Sequence, residues 1–117
     1  MRKSVSLLLS SVFVFSLFAV SGCSTAETRT TRINVPTAQC MMCANKIEEA
    51  LKKVDGVSEA AVDMDVKVAN VTYDATRTSV ASLEKAIAGA GYQANQAVAD
   101  SAVYANLPDC CKVPQPQ

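Results

Sequence analysis

Residues 33–57 read INVPTAQCMMCANKIEEALKKVDGV, and the order of signals in that stretch decides the fold. Ile33-Asn34-Val35 is a short strand that ends where Pro36 removes a ladder donor. Further on, Ile47, Leu51 and Val54, with Ala44 and Ala50 beside them, recur at helical spacing while Lys46, Glu48, Glu49, Lys52 and Lys53 fill the other face. The pattern predicts an amphipathic helix over 43–54, stopped by Asp55-Gly56, with Gly56 suited to a left-handed C-terminal position. Between strand and helix lies Cys40-Met41-Met42-Cys43. A CxxC placed there sits in a loop or first helical turn, where unpaired backbone N–H groups and the helix dipole favour anions. Its thiol pKa values are expected to be pulled down.

The second half repeats the theme. Val57 to Met64 and Val66 to Tyr73 are rich in β-branched and small residues, and the link around Met64-Asp65 reverses the chain, which predicts a hairpin. Thr78 or Ser79 is placed to cap a second helix carrying Val80, Leu83, Ile87 and Ala90 on one face, with Gly89 and Gly91 at its end. Tyr92 to Val98 reads as a final strand. The order is βαββαβ, an α+β, ferredoxin-like arrangement with a four-stranded antiparallel sheet and both helices on one face. Such a fold hosts many activities, so function must be argued from the site.

Composition narrows the chemistry. The 117 residues include five Cys, no His and no Trp. Without histidine there is no Ser-His-Asp or Cys-His catalytic set, no Cys2His2 zinc finger and no His-based metal triad. Any soft-metal or redox chemistry must use sulfur. Eleven basic residues balance 11 acidic ones and 5% of residues are aromatic, which speaks against a nucleic-acid partner.

The N-terminus has the form of an export signal. Arg2 and Lys3 precede a stretch, Val5 to Val20, that is apolar apart from four serines, and small residues follow. At 16 residues the run is short for a transmembrane anchor, which needs about 20. Val20-Ser21-Gly22-Cys23 resembles the bacterial lipobox. The resemblance implies that residues 1–22 are a signal peptide and that Cys23 is the lipid-bearing N-terminus of an exported, membrane-anchored protein. With Ser24 rather than Asp after the cysteine, it further implies the outer membrane, facing the periplasm, in a Gram-negative cell. Loss of Arg2 and Lys3 leaves the mature chain at about −2. Residues 23–32 then read as a polar, flexible tether to a domain over 33–98.

Two thiolates separated by two residues can approach one soft cation from opposite sides, which suits Cu(I) or Hg(II), or can supply half of a tetrahedral Zn(II) or Cd(II) site. Met41 and Met42 place thioethers next to the pair, although residues between two ligands often point to solvent. The competing readings are a structural disulfide in an oxidising compartment, a thiol-disulfide oxidoreductase using the same CxxC, and two cysteines that are merely close. The Met-Met insert, the absence of Trp and the element order differ from a thioredoxin site.

Cys40-Met41-Met42-Cys43, Ile47-Glu48-Glu49-Ala50-Leu51, Val54-Asp55-Gly56-Val57, Val62-Asp63, Val71-Thr72-Tyr73-Asp74, Ala86-Ile87 and Gly91-Tyr92 together resemble the heavy-metal-associated (HMA) domain. That family includes copper chaperones, modules of metal-exporting P-type ATPases and the periplasmic mercury-binding protein. The resemblance implies metal binding by Cys40 and Cys43, transfer by ligand exchange with a metal transporter or P-type ATPase, and no enzymatic activity. Tyr92 matches an aromatic position near the metal loop in bacterial members, with ordinary core packing as its simpler role. The chain departs from the family before the first ligand, where Thr37-Ala38-Gln39 replaces the usual Gly-Met-Thr or Gly-Met-Ser.

Residues 99–117 form a separate C-terminal segment. Asp100 to Leu107 has the makings of a short helix ended by Pro108, and Asp109-Cys110-Cys111 follows. Neighbouring cysteines bridge each other only with strain. Cys110 and Cys111 are therefore open to three roles: a second soft-metal site, completion of a four-thiolate site with Cys40 and Cys43, or cross-linking to that pair. Val113 to Gln117 is a Pro/Gln tail expected to be mobile.

Overall fold

The computed structural model describes residues 25–113, so the leader, Cys23 and the last four residues lie outside it. The elements run β1 (Thr28–Asn34), α1 (Met41–Lys52), β2 (Val57–Asp63), β3 (Val68–Asp74), α2 (Val80–Gly89), α3 (Ser101–Ala105) and a 3-10 turn at Asp109–Cys111. Among the described residues the sheet has three strands in the order β1-β3-β2, all antiparallel.

Two strand expectations need correcting. β1 starts at Thr28 rather than Ile33 and pairs along its whole length with β3, from Thr28 opposite Asp74 to Asn34 opposite Val68. Its first residues, Thr28 to Arg32, are polar and mostly exposed at a sheet edge, so no apolar alternation marked them as strand. At the other end, Tyr92 to Val98 is not a fourth strand. Asn95 takes φ +51, and Ala94 and Ala97 exchange backbone bonds of 3.0 and 2.8 Å, which closes this stretch into a local turn. What remains of a fourth-strand contact is at Asn34: its N–H donates to Asn95 Oδ1 at 2.9 Å and its carbonyl accepts from the Asn95 N–H at 2.8 Å. Asn tolerates the left-handed region and turns readily, and it outweighed the weak strand signal of its Ala neighbours.

The helices form where the periodicity placed them. Cys43, Ile47 and Leu51 lie at four-residue intervals and are all buried, with Ala44 beside them. On the outer face of α1, Lys52 and Lys53 lie 3.8 and 3.3 Å from Glu48 and Glu49. Glu48 also accepts from the Val62 N–H at 2.8 Å, which ties α1 to the free edge of β2. Ser79 caps α2 by accepting from the Ser82 N–H, and Leu83 and Ile87 are its buried residues.

One core joins these parts. Ile47, Leu51, Leu83 and Ile87 from the helices meet Ile33, Ala69, Val71 and Tyr73 from the sheet. Each fully buried Ile or Leu contributes about 1.5–3 kcal/mol. Among the described residues the core runs from Ile33 to Leu107 and Cys111, with two of its residues from the C-terminal segment. That segment is docked by a bond of 2.9 Å from the Asp100 N–H to the Ala88 carbonyl and by Leu107 and Val103 packed over Gly91. Gly91 has φ +96, and a Cβ there would stand 3.1 Å from Leu107 Cδ1 and 3.2 Å from Val103 Cγ1. Among the described residues no helix is long and apolar enough to cross a membrane.

Candidate metal centre

The turn from β1 to α1 sets the first thiol. The Val35 N–H bonds the Lys67 carbonyl at 2.9 Å and the Ala38 N–H bonds the Val35 carbonyl at 3.1 Å, so Pro36 to Ala38 turns tightly off the sheet. Ala38, at the place where the HMA pattern carries Met, is fully buried. Cys40 is the N-cap of α1, in extended backbone at φ −149°, and its side chain makes no capping bond of ordinary geometry. The helix itself starts at Met41, two residues ahead of the predicted start.

Cys40 and Cys43 are thus placed on different sides of one turn. Cys43 belongs to the buried stripe of α1 and is fully enclosed, while Cys40 is partly exposed. Their sulfurs stand 3.3 Å apart, both as free thiols. The Cys43 N–H and the Cys43 thiol favour a charged Cys40 sulfur, with the Met42 N–H adding to them, and lower the Cys40 pKa from 9.0 to about 7. Burial pushes the Cys43 thiol the other way, upward, and the neighbouring Cys111 thiol adds to the rise. The pair therefore offers one sulfur that ionises near neutral pH and one that stays protonated.

The C-terminal cysteines arrive at the same place. Cys111 is fully buried with its sulfur 3.9 Å from that of Cys40, and the exposed Cys110 has its sulfur 4.0 Å from that of Cys111. The sulfurs of Cys40, Cys110 and Cys111 all lie within 4.8 Å of one another. Seventy residues of chain separate the two pairs, and their meeting was implied by two of the three roles left open for Cys110 and Cys111. Tyr92 is fully buried below them; its hydroxyl has no hydrogen-bond partner and lies against the thiols of Cys43 and Cys111. Met41 and Met42 are turned outward, 64% and 49% exposed.

What these residues can do follows from the atoms present. Four thiols and a phenol converge with no buried polar or charged side chain of another kind among the described residues. Sulfur ligands select soft ions such as Cu(I), Hg(II), Zn(II) and Cd(II).

Comparison with known proteins points the same way. The chain is 40% identical over 80 residues to a mercuric transport protein periplasmic component of Shewanella putrefaciens, covering 68% of this chain and 88% of that one. A protein of the same name from Acinetobacter calcoaceticus is 37% identical over 92 residues, covering 79% and 93%. Among solved structures, oxidized MerP from Ralstonia metallidurans CH34 superposes with a TM-score of 0.56 at 40% identity, covering 58% of this chain and 94% of that one. A CopZ metallochaperone gives 0.55 at 30%, covering 56% and 98%. Residues 32–93 match the heavy-metal-associated domain. The chain belongs to the heavy-metal-associated domain family.

Proposed function

We propose that this protein captures a thiophilic metal ion, Hg(II) or Cu(I), through Cys40 and Cys43 and relays or holds it outside the cytoplasmic membrane. The observation that carries this reading is the pair of free sulfurs 3.3 Å apart at the start of α1, one reachable from solvent and one buried. Cys40 meets the incoming ion first, because its thiol ionises near neutral pH. Cys43 follows and releases its proton as it binds. Hand-off to a transporter or P-type ATPase runs in reverse, with an acceptor thiol replacing one protein sulfur at a time, so no catalysis is required. Relatives named as mercuric transport periplasmic components and a metallochaperone support the reading, and the same sulfurs accept Zn(II) or Cd(II).

In this reading Cys23 carries a lipid and keeps the site near the membrane, where tethering raises its effective concentration toward a membrane partner. The split between an ionised and a protonated thiol also suits a thiol-disulfide oxidoreductase. One experiment separates the two. The reduced chain from Thr25 onward is titrated with Cu(I) and with Hg(II) against competing chelators, and assayed for insulin reduction, beside Cys40→Ser. Binding well above that of a small dithiol, lost in the variant, is the expected result. Insulin reduction without such binding overturns the metal reading.

A further inference from the structure

The C-terminal segment brings Cys110 and Cys111 to the CxxC loop by ordinary packing. Leu107 and Val103 seat on Gly91, the Asp100 N–H bonds Ala88, and the Val113 N–H donates to the Tyr104 hydroxyl at 3.0 Å. The 3-10 turn, held by a 2.8 Å bond from the Cys111 N–H to the Pro108 carbonyl, then points Cys111 into the core and leaves Cys110 at the surface. The sulfurs of Cys110 and Cys111, 4.0 Å apart, thus form a compact triangle with that of Cys40, all three within 4.8 Å of one another.

We propose that Cys40, Cys110 and Cys111 form a three-sulfur site for a soft metal ion, sharing Cys40 with the CxxC pair, so that the C-terminal segment closes over an ion that two thiolates alone would hold in the open. The proposal rests on the capture role of Cys40 and deepens it. A metal–sulfur bond of about 2.3 Å sets the three sulfurs of a trigonal site about 4 Å apart and the two of a linear site about 4.6 Å apart. The separations of 3.9 and 4.0 Å, with all three sulfurs inside 4.8 Å, match the trigonal case. The Cys40–Cys43 separation of 3.3 Å matches neither and must widen before that pair can hold a linear ion.

A second observation comes from Tyr92. Its hydroxyl is enclosed, without a hydrogen-bond partner, and lies against the sulfurs of Cys111 and Cys43. A buried donor left unpaired is destabilising. A metal-bound thiolate at Cys111 supplies the acceptor, because sulfur carrying negative charge takes a hydrogen bond that a neutral thiol takes poorly. Each cysteine that binds gives its proton to solvent, and the ion keeps its oxidation state, so no electron acceptor is needed.

The test uses the reduced chain from Thr25 to Gln117 with one equivalent of Hg(II). X-ray absorption gives the number of sulfurs around mercury, and competition with a small dithiol gives affinity. Three sulfurs are expected in the unaltered protein. Two are expected in Cys110→Ser and in Cys110→Ser/Cys111→Ser, with affinity falling at least about tenfold, because each variant removes a ligand. Cys110 is exposed, so Cys110→Ser leaves the core intact and guards against misfolding as the cause. Two sulfurs in the unaltered protein, with unchanged affinity in the Cys110/Cys111 variants, overturn the three-sulfur site and leave the CxxC capture role standing. Absence of binding in the unaltered protein overturns both. Recovery of a Cys40–Cys111 disulfide that persists under the cell's own conditions also overturns the proposal.

Discussion

Helices α1 and α2 hold equivalent places in the two strand–helix halves and start from nearly the same backbone, φ −149° and ψ 172° at Cys40 against φ −138° and ψ 163° at Ser79. They differ in the atom that sits at the cap. The Ser79 hydroxyl accepts from the Ser82 N–H and closes the start of α2 against exposed surroundings. At Cys40 a neutral sulfur is a poor acceptor, so the amides at the start of α1 act on the thiol instead, favouring its charged form. The same position in the fold thus serves stability in one half and reactivity in the other. The C-terminal segment completes the contrast, because it brings two further thiols to the start of α1.

Breaking this contrast at Cys40 should produce the largest effect. Cys40→Ser and Cys43→Ser are each expected to lower Hg(II) affinity by about a hundredfold or more in dithiol competition, since soft ions bind hydroxyls weakly. The same Cys40→Ser supplies a hydroxyl in a conformation already fit for capping, so its melting temperature should hold or rise. A gain of about 1 kcal/mol from such a cap corresponds to about 4–8 °C. A marked loss of stability would mean that the two helix starts are not equivalent.

The second effect is kinetic. Alkylation by iodoacetamide, followed by mass spectrometry, should modify Cys40 along a pH profile with a midpoint near 7, while Cys43 reacts only at higher pH. Near pH 7 the rates should differ by about tenfold or more. The linkage follows in sign: folding lowers the Cys40 pKa, so its ionised form stabilises the fold above pH 9 and that contribution fades as pH falls through 7.

Two glycines sharpen the comparison at the helix ends. Gly56 and Gly91 have φ of +97 and +96, and alanine at either should cost about 1–2 kcal/mol, read as a drop in melting temperature. A Cβ at Gly56 meets Arg77 Cβ at 2.9 Å, far from the thiols, whereas one at Gly91 presses on Leu107 and Val103. Only Gly91→Ala is therefore expected to raise the alkylation rate of Cys111. The smallest effect is reserved for Ser79→Ala, which should cost about 1 kcal/mol in a thermal melt and leave metal affinity untouched.

Much of the fold was readable because burial follows period. The stripe of Ile47 and Leu51 and the pair Leu83 and Ile87 announced both helices, and extending the first stripe back four residues would have shown that Cys43 is buried. Where burial does not alternate, the signal disappears. Thr28 to Arg32 is a strand held by backbone pairing along an exposed edge, and the turn at Asn95 depends on one residue's tolerance of positive φ. The site was half legible for the same reason. Local spacing marks Cys40 and Cys43, while nothing local to Cys110 and Cys111 tells where they go.

By itself the sequence settled which element would do the chemistry: sulfur, because histidine is absent and a CxxC stands at a helix start. Tertiary structure decided how many sulfurs meet and in what state. The docking of Leu107 on Gly91 carries Cys111 across seventy residues of chain to within 3.9 Å of Cys40, and burial of Cys43 separates its pKa from that of its partly exposed partner. Both results depend on packing between distant segments, which composition and spacing along a chain do not encode locally.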